Sequence, residues 1–262
     1  MGRQAGIAST IAVSILLGEA GCTPTRPVIE PRPPATQPEQ PAARPASVTR
    51  SDIGTSVEGR PVTMVQFGQG DVGVLIIAAI HGDEPTSEYV AQRLIAVLAS
   101  SPQAGVAVIP CANPDGLAAH RRTNAHGVDL NRNFPAANWK RTGHGLNFGG
   151  REPLSEPEST ALHGVIESLQ PRLIISIHSM RNPCDNYDGP AEPIAELMGQ
   201  SNGYPVLSNI GYPTPGSLGS WAGIDQQIPI ITLELPRAQA GEEAWLANRD
   251  ALLNAISSQL RS

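Results

Sequence analysis

Four consecutive residues, His81-Gly82-Asp83-Glu84, follow directly on the apolar run Val72-Gly73-Val74-Leu75-Ile76-Ile77-Ala78-Ala79-Ile80. An imidazole and a carboxylate in a His-x-x-Glu spacing are the donor types that hold a zinc-like cation. A polar turn capping the next helix, with Asp83 as N-cap, is the other reading of the same residues. A second histidine, His178, ends another apolar run, Leu173-Ile174-Ile175-Ser176-Ile177. Catalytic zinc takes three protein ligands and keeps a fourth position for water, and His81, Glu84 and His178 match that count. Hydrolysis of an amide also needs a base for the water and a proton donor for the leaving amine. Glu234, inside Ile231-Thr232-Leu233-Glu234-Leu235-Pro236, is a carboxylate in an otherwise apolar strand. A charge there is costly without a partner or a task. A strand-end glutamate facing solvent, or one paired with Arg237, is the alternative.

These groups need elements to position them. The run 72–80 is short, β-branched and unpunctuated, which predicts a buried strand, and its C-terminal end is where α/β sheets place ligands. Residues 84–100 carry Tyr89, Val90, Leu94, Ile95 and Leu98 at helical spacing. The globular part is expected to begin near Ser51, with a strand over 61–67. A further strand over 106–110 leads into the turn Asn113-Pro114-Asp115-Gly116. From 117 to about 154 periodicity is lost, and a long irregular excursion inside a compact domain is usually functional. A helix over 157–169, a strand over 172–177, a helix over 191–201, a short helical turn over 217–223, a strand over 227–235 and a closing helix over 242–260 complete the order. The alternation predicts an α/β fold with a mixed, mainly parallel central sheet and helices on both faces. No internal repeat is present.

With 262 residues and 40% hydrophobic content the chain can build a sizeable core, as one large domain or two small ones. A net charge of −6 and the lack of any Lys/Arg block argue against nucleic acid as a partner. Residues 1–22 have the layout of an export signal: Arg3, the apolar segment 7–17, then Ala20-Gly21-Cys22. The apolar part is too short to span a bilayer as a mature helix. Small residues before a cysteine resemble a bacterial lipobox, although Glu19 stands where an aliphatic residue is wanted. Acylation of Cys22 and ordinary cleavage that discards it are the two alternatives. Residues 23–49 are rich in proline, as in Pro31-Arg32-Pro33-Pro34, and read as an extended tether. The expectation is an exported protein of the periplasm or cell envelope, membrane-anchored if Cys22 is lipidated. There Cys111 and Cys184 could pair, or both could remain free buried thiols.

The segments His81-Gly82-Asp83-Glu84, Asn113-Pro114-Asp115-Gly116, Asn124-Ala125-His126-Gly127-Val128-Asp129-Leu130-Asn131-Arg132-Asn133-Phe134, Ile177-His178-Ser179 and Leu233-Glu234-Leu235 resemble, in this order, the zinc metallocarboxypeptidase family. The resemblance covers 50–262 and implies a zinc carboxypeptidase-like catalytic domain there. It further implies one zinc ion on His81, Glu84 and His178, the His2Glu set of carboxypeptidase A, with Glu234 activating the zinc-bound water. Asn131 and Arg132 would bind the substrate's terminal carboxylate, since a guanidinium fork matches it bidentately. Arg122 would polarise the scissile carbonyl, with the adjacent Arg121 leaving the register open. Asp129 would orient a ligand histidine. Tyr212 would close over the substrate, or else only pack the turn before Pro213.

Within that family, Asn131 to Trp139, Tyr187-Asp188-Gly189-Pro190 and Gly211 to Ser217 look like runs of bacterial murein tripeptide amidases, which remove meso-diaminopimelate from L-Ala-γ-D-Glu-diaminopimelate. Asp185 and Asp188 are then candidates for the ammonium of diaminopimelate, or simply turn residues. His120, His126, His144 and His163 receive no role. The resemblance implies hydrolysis of a C-terminal amide, the γ-D-Glu–diaminopimelate bond of a murein peptide or the bond of another peptide with a free C-terminal carboxylate. Those amidases are cytosolic and this chain reads as exported, so periplasmic muropeptides stand beside recycled ones as substrate. Two other functions are kept open. One is an N-acyl amino acid deacylase of the aspartoacylase or succinylglutamate desuccinylase type, which shares the metal set and the Asp129-Leu130-Asn131-Arg132 run. The other is a non-catalytic cell-wall-binding lipoprotein.

Overall fold

A computed structural model describes residues 47–100 and 105–260, together with Ser14. The expected export signal, with Cys22, and the expected tether over 23–49 as far as residue 46 lie outside the described residues apart from Ser14; at the tether's expected end, Val48 and Thr49 instead pair with Phe67 and Gln66 as part of the sheet. Strand β1 (Val48–Thr55) and β2 (Pro61–Phe67) precede β3 (Val74–Ala78), α1 (Pro85–Ser100) and β4 (Val106–Ile109). The short helix α2 (Pro114–Ala118) follows, capped by the Asn113 side chain accepting from the Gly116 N–H. Next come α3 (Pro157–Leu169), β5 (Leu173–Met180), β6 (Cys184–Asp188), α4 (Glu192–Asn202), β7 (Val206–Leu207), β8 (Ile230–Pro236) and α5 (Gly241–Leu260). A three-residue 3-10 turn at Leu130–Arg132 and a π-helical stretch at Gly219–Asp225 interrupt the loops.

The strands form one eight-stranded sheet in the order β1-β2-β4-β3-β5-β8-β6-β7. The central β4, β3, β5 and β8 run parallel, while β1, β2 and β6 are antiparallel to their inner neighbours, so the sheet is mixed. Side chains alternate across a strand with period two, and this alternation builds a separate core on each face. Val74, Ile76, Leu173 and Ile175 face α1, α4 and α5, packing with Leu94, Leu98, Trp245 and Leu252. Leu75, Ile77, Ile174 and Ile230 face the other way, against Leu162 of α3 and Leu130, Phe134 and Trp221. Phe134 and Trp221 stack with centroids 5.7 Å apart. Burying each such side chain stabilises the fold by about 1.5–3 kcal/mol.

On that second face, much of the cover is the irregular excursion. Two buried asparagines hold it by its backbone. The Asn133 amide donates to Gly149 O (2.8 Å), Glu152 O (3.0 Å) and Ser155 Oγ (3.1 Å), and its carbonyl accepts from the Glu156 N–H (3.2 Å). The Asn124 amide donates to Glu156 (2.7 Å) and Glu158 (3.1 Å), while its Oδ1 accepts from the His126 and Val128 N–H groups. Buried backbone groups must be paired, and here side chains replace the ladder a regular element would supply. Among the described residues no helix is long and apolar enough to cross a membrane.

Candidate active site

Strand pairing brings the separated motifs together. Because β3 and β5 are parallel neighbours, with Ala78 opposite Ile177, the chain leaves both at the same edge of the sheet. Strand β8 lies on the far side of β5 with Glu234 opposite His178. The turn at 81–84 is pressed against the turn at 113–116, and a methyl on Gly82 would collide with the Gly116–Leu117 backbone. Ala79, two residues before His81, is held at φ +48°, a left-handed conformation that non-glycine residues seldom adopt.

The three predicted ligands converge. Donor atoms of His81, Glu84 and His178 all lie within 4.8 Å of one another, and all three residues are buried. Glu84 Oε1 is 3.1 Å from His81 Nδ1, and Glu84 Oε2 is 3.2 Å from His178 Nδ1, so both rings turn the same nitrogen inward. The other His81 nitrogen, Nε2, is 3.0 Å from Asp129 Oδ1, and the Ser179 N–H donates to Glu84 Oε2 at 3.0 Å. A carboxylate behind a ligand histidine fixes its tautomer and raises its basicity. Burial disfavours a charged His81, yet the Asp129 and Glu84 carboxylates outweigh it and raise its pKa to about 9. Burial likewise opposes ionised Glu84 and Asp129, but His81, with His178 beside Glu84 and Arg122 beside Asp129, holds both below the usual carboxylate range. The centre therefore calls for positive charge. Two imidazoles and a carboxylate converging in that field fit a zinc ion in ligand type and number.

Around this centre lies a cavity of about 310 Å³ whose walls include Arg122, Asn131, Arg132, Asp188, Tyr212 and Glu234. Glu234 is buried, and burial, with Glu84 nearby, pushes its carboxyl above the ordinary value against the opposing pull of His178, His81 and Arg122. Arg237 is not its partner; that guanidinium pairs with Asp83. Arg122 donates twice to Asp129 Oδ2, at 3.1 and 2.8 Å, and its Nη1 lies 3.3 Å from His81 Nδ1. Arg121 instead lines a neighbouring depression, with its Nε buried and unpartnered among the described residues. The Asn131 side-chain carbonyl oxygen accepts from the Leu218 N–H at 2.9 Å, and the Phe134 N–H donates to Gly216 O at 3.0 Å. The Asn131 to Trp139 and Gly211 to Ser217 runs are thus fastened to each other. Gly216, at φ +69°, has no room for a side chain beside the Arg132 carbonyl and Trp139. Tyr212 stands 51% exposed at the mouth.

Asp185 and Asp188 separate. Asp188 reaches the cavity, whereas Asp185 is fully buried on the opposite face, where the Asn202 amide donates to it at 3.3 Å. Ser176, Asn186 and Thr232 also line the cavity and were not anticipated. The signal for Ser176 was available, since it lies two residues before His178 in an otherwise apolar strand and so shares its face. His126 pairs with Glu156, His144 packs on Phe148 and His163 on Trp221, all outside the cavity wall. Cys111 and Cys184 are free thiols, each pushed up to about 12 by burial. They flank β4 and β6, four strand spacings apart, or roughly 19 Å at about 4.8 Å per strand, too far to bridge.

The model of the zinc carboxypeptidase family matches residues 39–184. Murein peptide amidase A of Escherichia coli (strain K12) is 38% identical over 181 residues, which is 64% of this chain and 73% of that protein. Its namesake from Vibrio campbellii is 34% identical over 210 residues, 74% of this chain and 82% of that one. Among solved structures, the murein-tripeptide amidase of Escherichia coli O157 superposes with a TM-score of 0.68 at 33% identity, covering 81% of this chain and 92% of that chain. Carboxypeptidase A of Helicoverpa armigera superposes at 0.70 with 19% identity over 82% of this chain and 69% of that one, a likeness of fold.

Proposed function

Because this chain belongs to the zinc carboxypeptidase family, we propose that it is an amidase that releases diaminopimelate from murein peptides by hydrolysing the γ-D-Glu–diaminopimelate bond. It is a hydrolase with zinc as its cofactor. The observation that carries the reading is the convergence on one cavity of His81, Glu84 and His178 with Glu234, Arg122 and Arg132. The murein substrate is supported by the two amidases that share 34–38% of their aligned residues with the chain.

When bound by His81, Glu84 and His178, zinc supplies Lewis-acid polarisation and acidifies a water. Glu234 takes the proton. Its carboxyl is desolvated, which makes it a stronger base than a surface glutamate, and its place opposite His178 puts it beside the ligands. The same carboxyl can return the proton to the departing amine. Arg122, held by Asp129, directs its free N–H toward the centre, where a guanidinium stabilises negative charge developing on the carbonyl oxygen. Arg132 and the Asn131 amide group bind the terminal carboxylate, and Tyr212 covers the mouth. Residues 1–22 export the chain and residues 23–46 tether the catalytic domain, with Cys22 as lipid anchor, so that it works in the periplasm or cell envelope.

Mass spectrometry of products from L-Ala-γ-D-Glu-diaminopimelate tests the bond. Release of free diaminopimelate is expected, and its absence from zinc-loaded enzyme overturns the reading. Glu234→Gln should keep stoichiometric zinc while lowering kcat by about 10²–10⁴-fold; a fully active variant removes Glu234 as the base.

A further inference from the structure

Arg122 reaches Asp129 and the metal ligands, but the two residues before it, His120 and Arg121, turn aside. The reason is local. After α2 the chain is closed by the Arg121 N–H donating to Gly116 O at 3.0 Å, with His120 at φ +49°, so successive side chains leave the turn in different directions. His120 and Arg121 open on a depression of about 610 Å³. It adjoins the catalytic cavity and shares Arg122, Arg132, Tyr212 and Arg237 with it.

The charges in this depression do not balance. Four arginines line it, Arg121, Arg122, Arg132 and Arg237, against one carboxylate, Asp83, in a chain whose net charge is −6. Asp83 is paired with Arg237, and Asp129 with Arg122. Arg132 is the group that receives the terminal carboxylate in the reading above. Arg121 remains, its Nε buried without a partner among the described residues. A buried N–H with no acceptor is costly, and a carboxylate, whose two oxygens match the guanidinium fork, removes that cost.

We propose that Arg121 binds the α-carboxylate of the γ-linked D-Glu, on the retained side of the scissile bond. The proposal rests on the amidase reading above and adds to it which group of the retained peptide is recognised. A γ linkage uses the glutamate's side-chain carboxyl in the amide and leaves its α-carboxylate free. The released residue fills the cavity, so the retained peptide leaves past Arg122, where the scissile carbonyl is polarised, and the depression begins there. A short aliphatic chain separates that carbonyl from the α-carboxylate, and Arg121 adjoins Arg122. Arg237 is held by Asp83, which leaves Arg121 as the specific partner.

Two tripeptides test this: L-Ala-γ-D-Glu-diaminopimelate and its analogue with the α-carboxylate of D-Glu converted to the carboxamide. The change removes a charge and keeps the shape. Wild-type kcat/KM should be about 30-fold higher for the acid, the range of a charge-assisted hydrogen bond. In Arg121→Gln the ratio should fall to within about threefold, through loss on the acid. Arg121→Lys, which keeps the charge but not the fork, should fall between. Equal wild-type rates on the two substrates overturn the proposal whether or not the variants fold. So does an undiminished ratio in Arg121→Gln. If the wild type cleaves neither, the amidase reading fails, and calorimetry of L-Ala-γ-D-Glu and its α-amide on the zinc-loaded protein decides the site. Tighter binding of the acid that disappears in Arg121→Gln upholds it, and any other result overturns it.

Discussion

Asp185 and Asp188 are three residues apart on β6, and the pleat turns them to opposite faces. Asp188 opens on the cavity, while Asp185 is sealed against α4, where burial raises its pKa to about 7 despite the bond from Asn202. The native state therefore holds a proton that the unfolded chain, with a pKa near 3.9, releases earlier. Stability is greatest below about pH 4 in this respect and falls as pH rises from about 4 to 7, by up to about 4 kcal/mol. Asp185→Asn should remove most of that fall, which urea denaturation at pH 4.5 and pH 8 measures; an undiminished slope would assign it to another group. Glu234 and Arg122 make a similar point. Each had a rival explanation in sequence, pairing with Arg237 for one and a shifted register with Arg121 for the other. Arg237 pairs with Asp83 and Arg121 opens on a separate depression.

At the scale of elements, the proposed catalytic groups come from strand ends but much of the facing cavity wall comes from the excursion. Asn133 is its fastening, bonded to Gly149, Glu152, Ser155 and Glu156. Asn133→Ala should cost about 3 kcal/mol or more, since it strands several buried groups at once. It should also weaken substrate binding more than turnover, because Arg132 precedes it directly; thermal melts and KM against kcat check both effects, and a variant as stable as the parent would refute the fastening. Strands β3, β4, β5 and β8 were legible as β-branched runs, and α1, α3 and α5 as periodic stretches between breakers. Strand β6, Cys184-Asp185-Asn186-Tyr187-Asp188, was not. Its inward positions line a polar cavity rather than a core, so the alternation that marks a strand is missing. Strands β1 and β7 lie at the edges of the sheet and carry little of the core pattern.

For the whole molecule, the ligands join β3 with β5, and the metal should act as a clamp between them. A ligand present at 1,000 times its Kd adds about 4 kcal/mol to stability, or roughly 10 °C in Tm for a domain of this size. Chelation should lower the melting temperature by about that much and added zinc should restore it; calorimetry with parallel metal analysis decides, and an unchanged melt in demonstrably zinc-free protein would deny the clamp. What the sequence determined by itself was chemical: the residue types His81, Glu84, His178 and Glu234, each at the end of an apolar run or within one, and an order of elements that permits only a sheet covered on both faces. Types and local periods are properties of neighbours along the chain. What only the tertiary structure decided was juxtaposition: that Glu234 stands opposite His178, that Asp129 backs His81, that the two loop runs lock together, and that Asp188 faces the cavity while Asp185 does not. Those facts depend on strand order and register, and register is set by pairing between segments that sequence spacing does not relate.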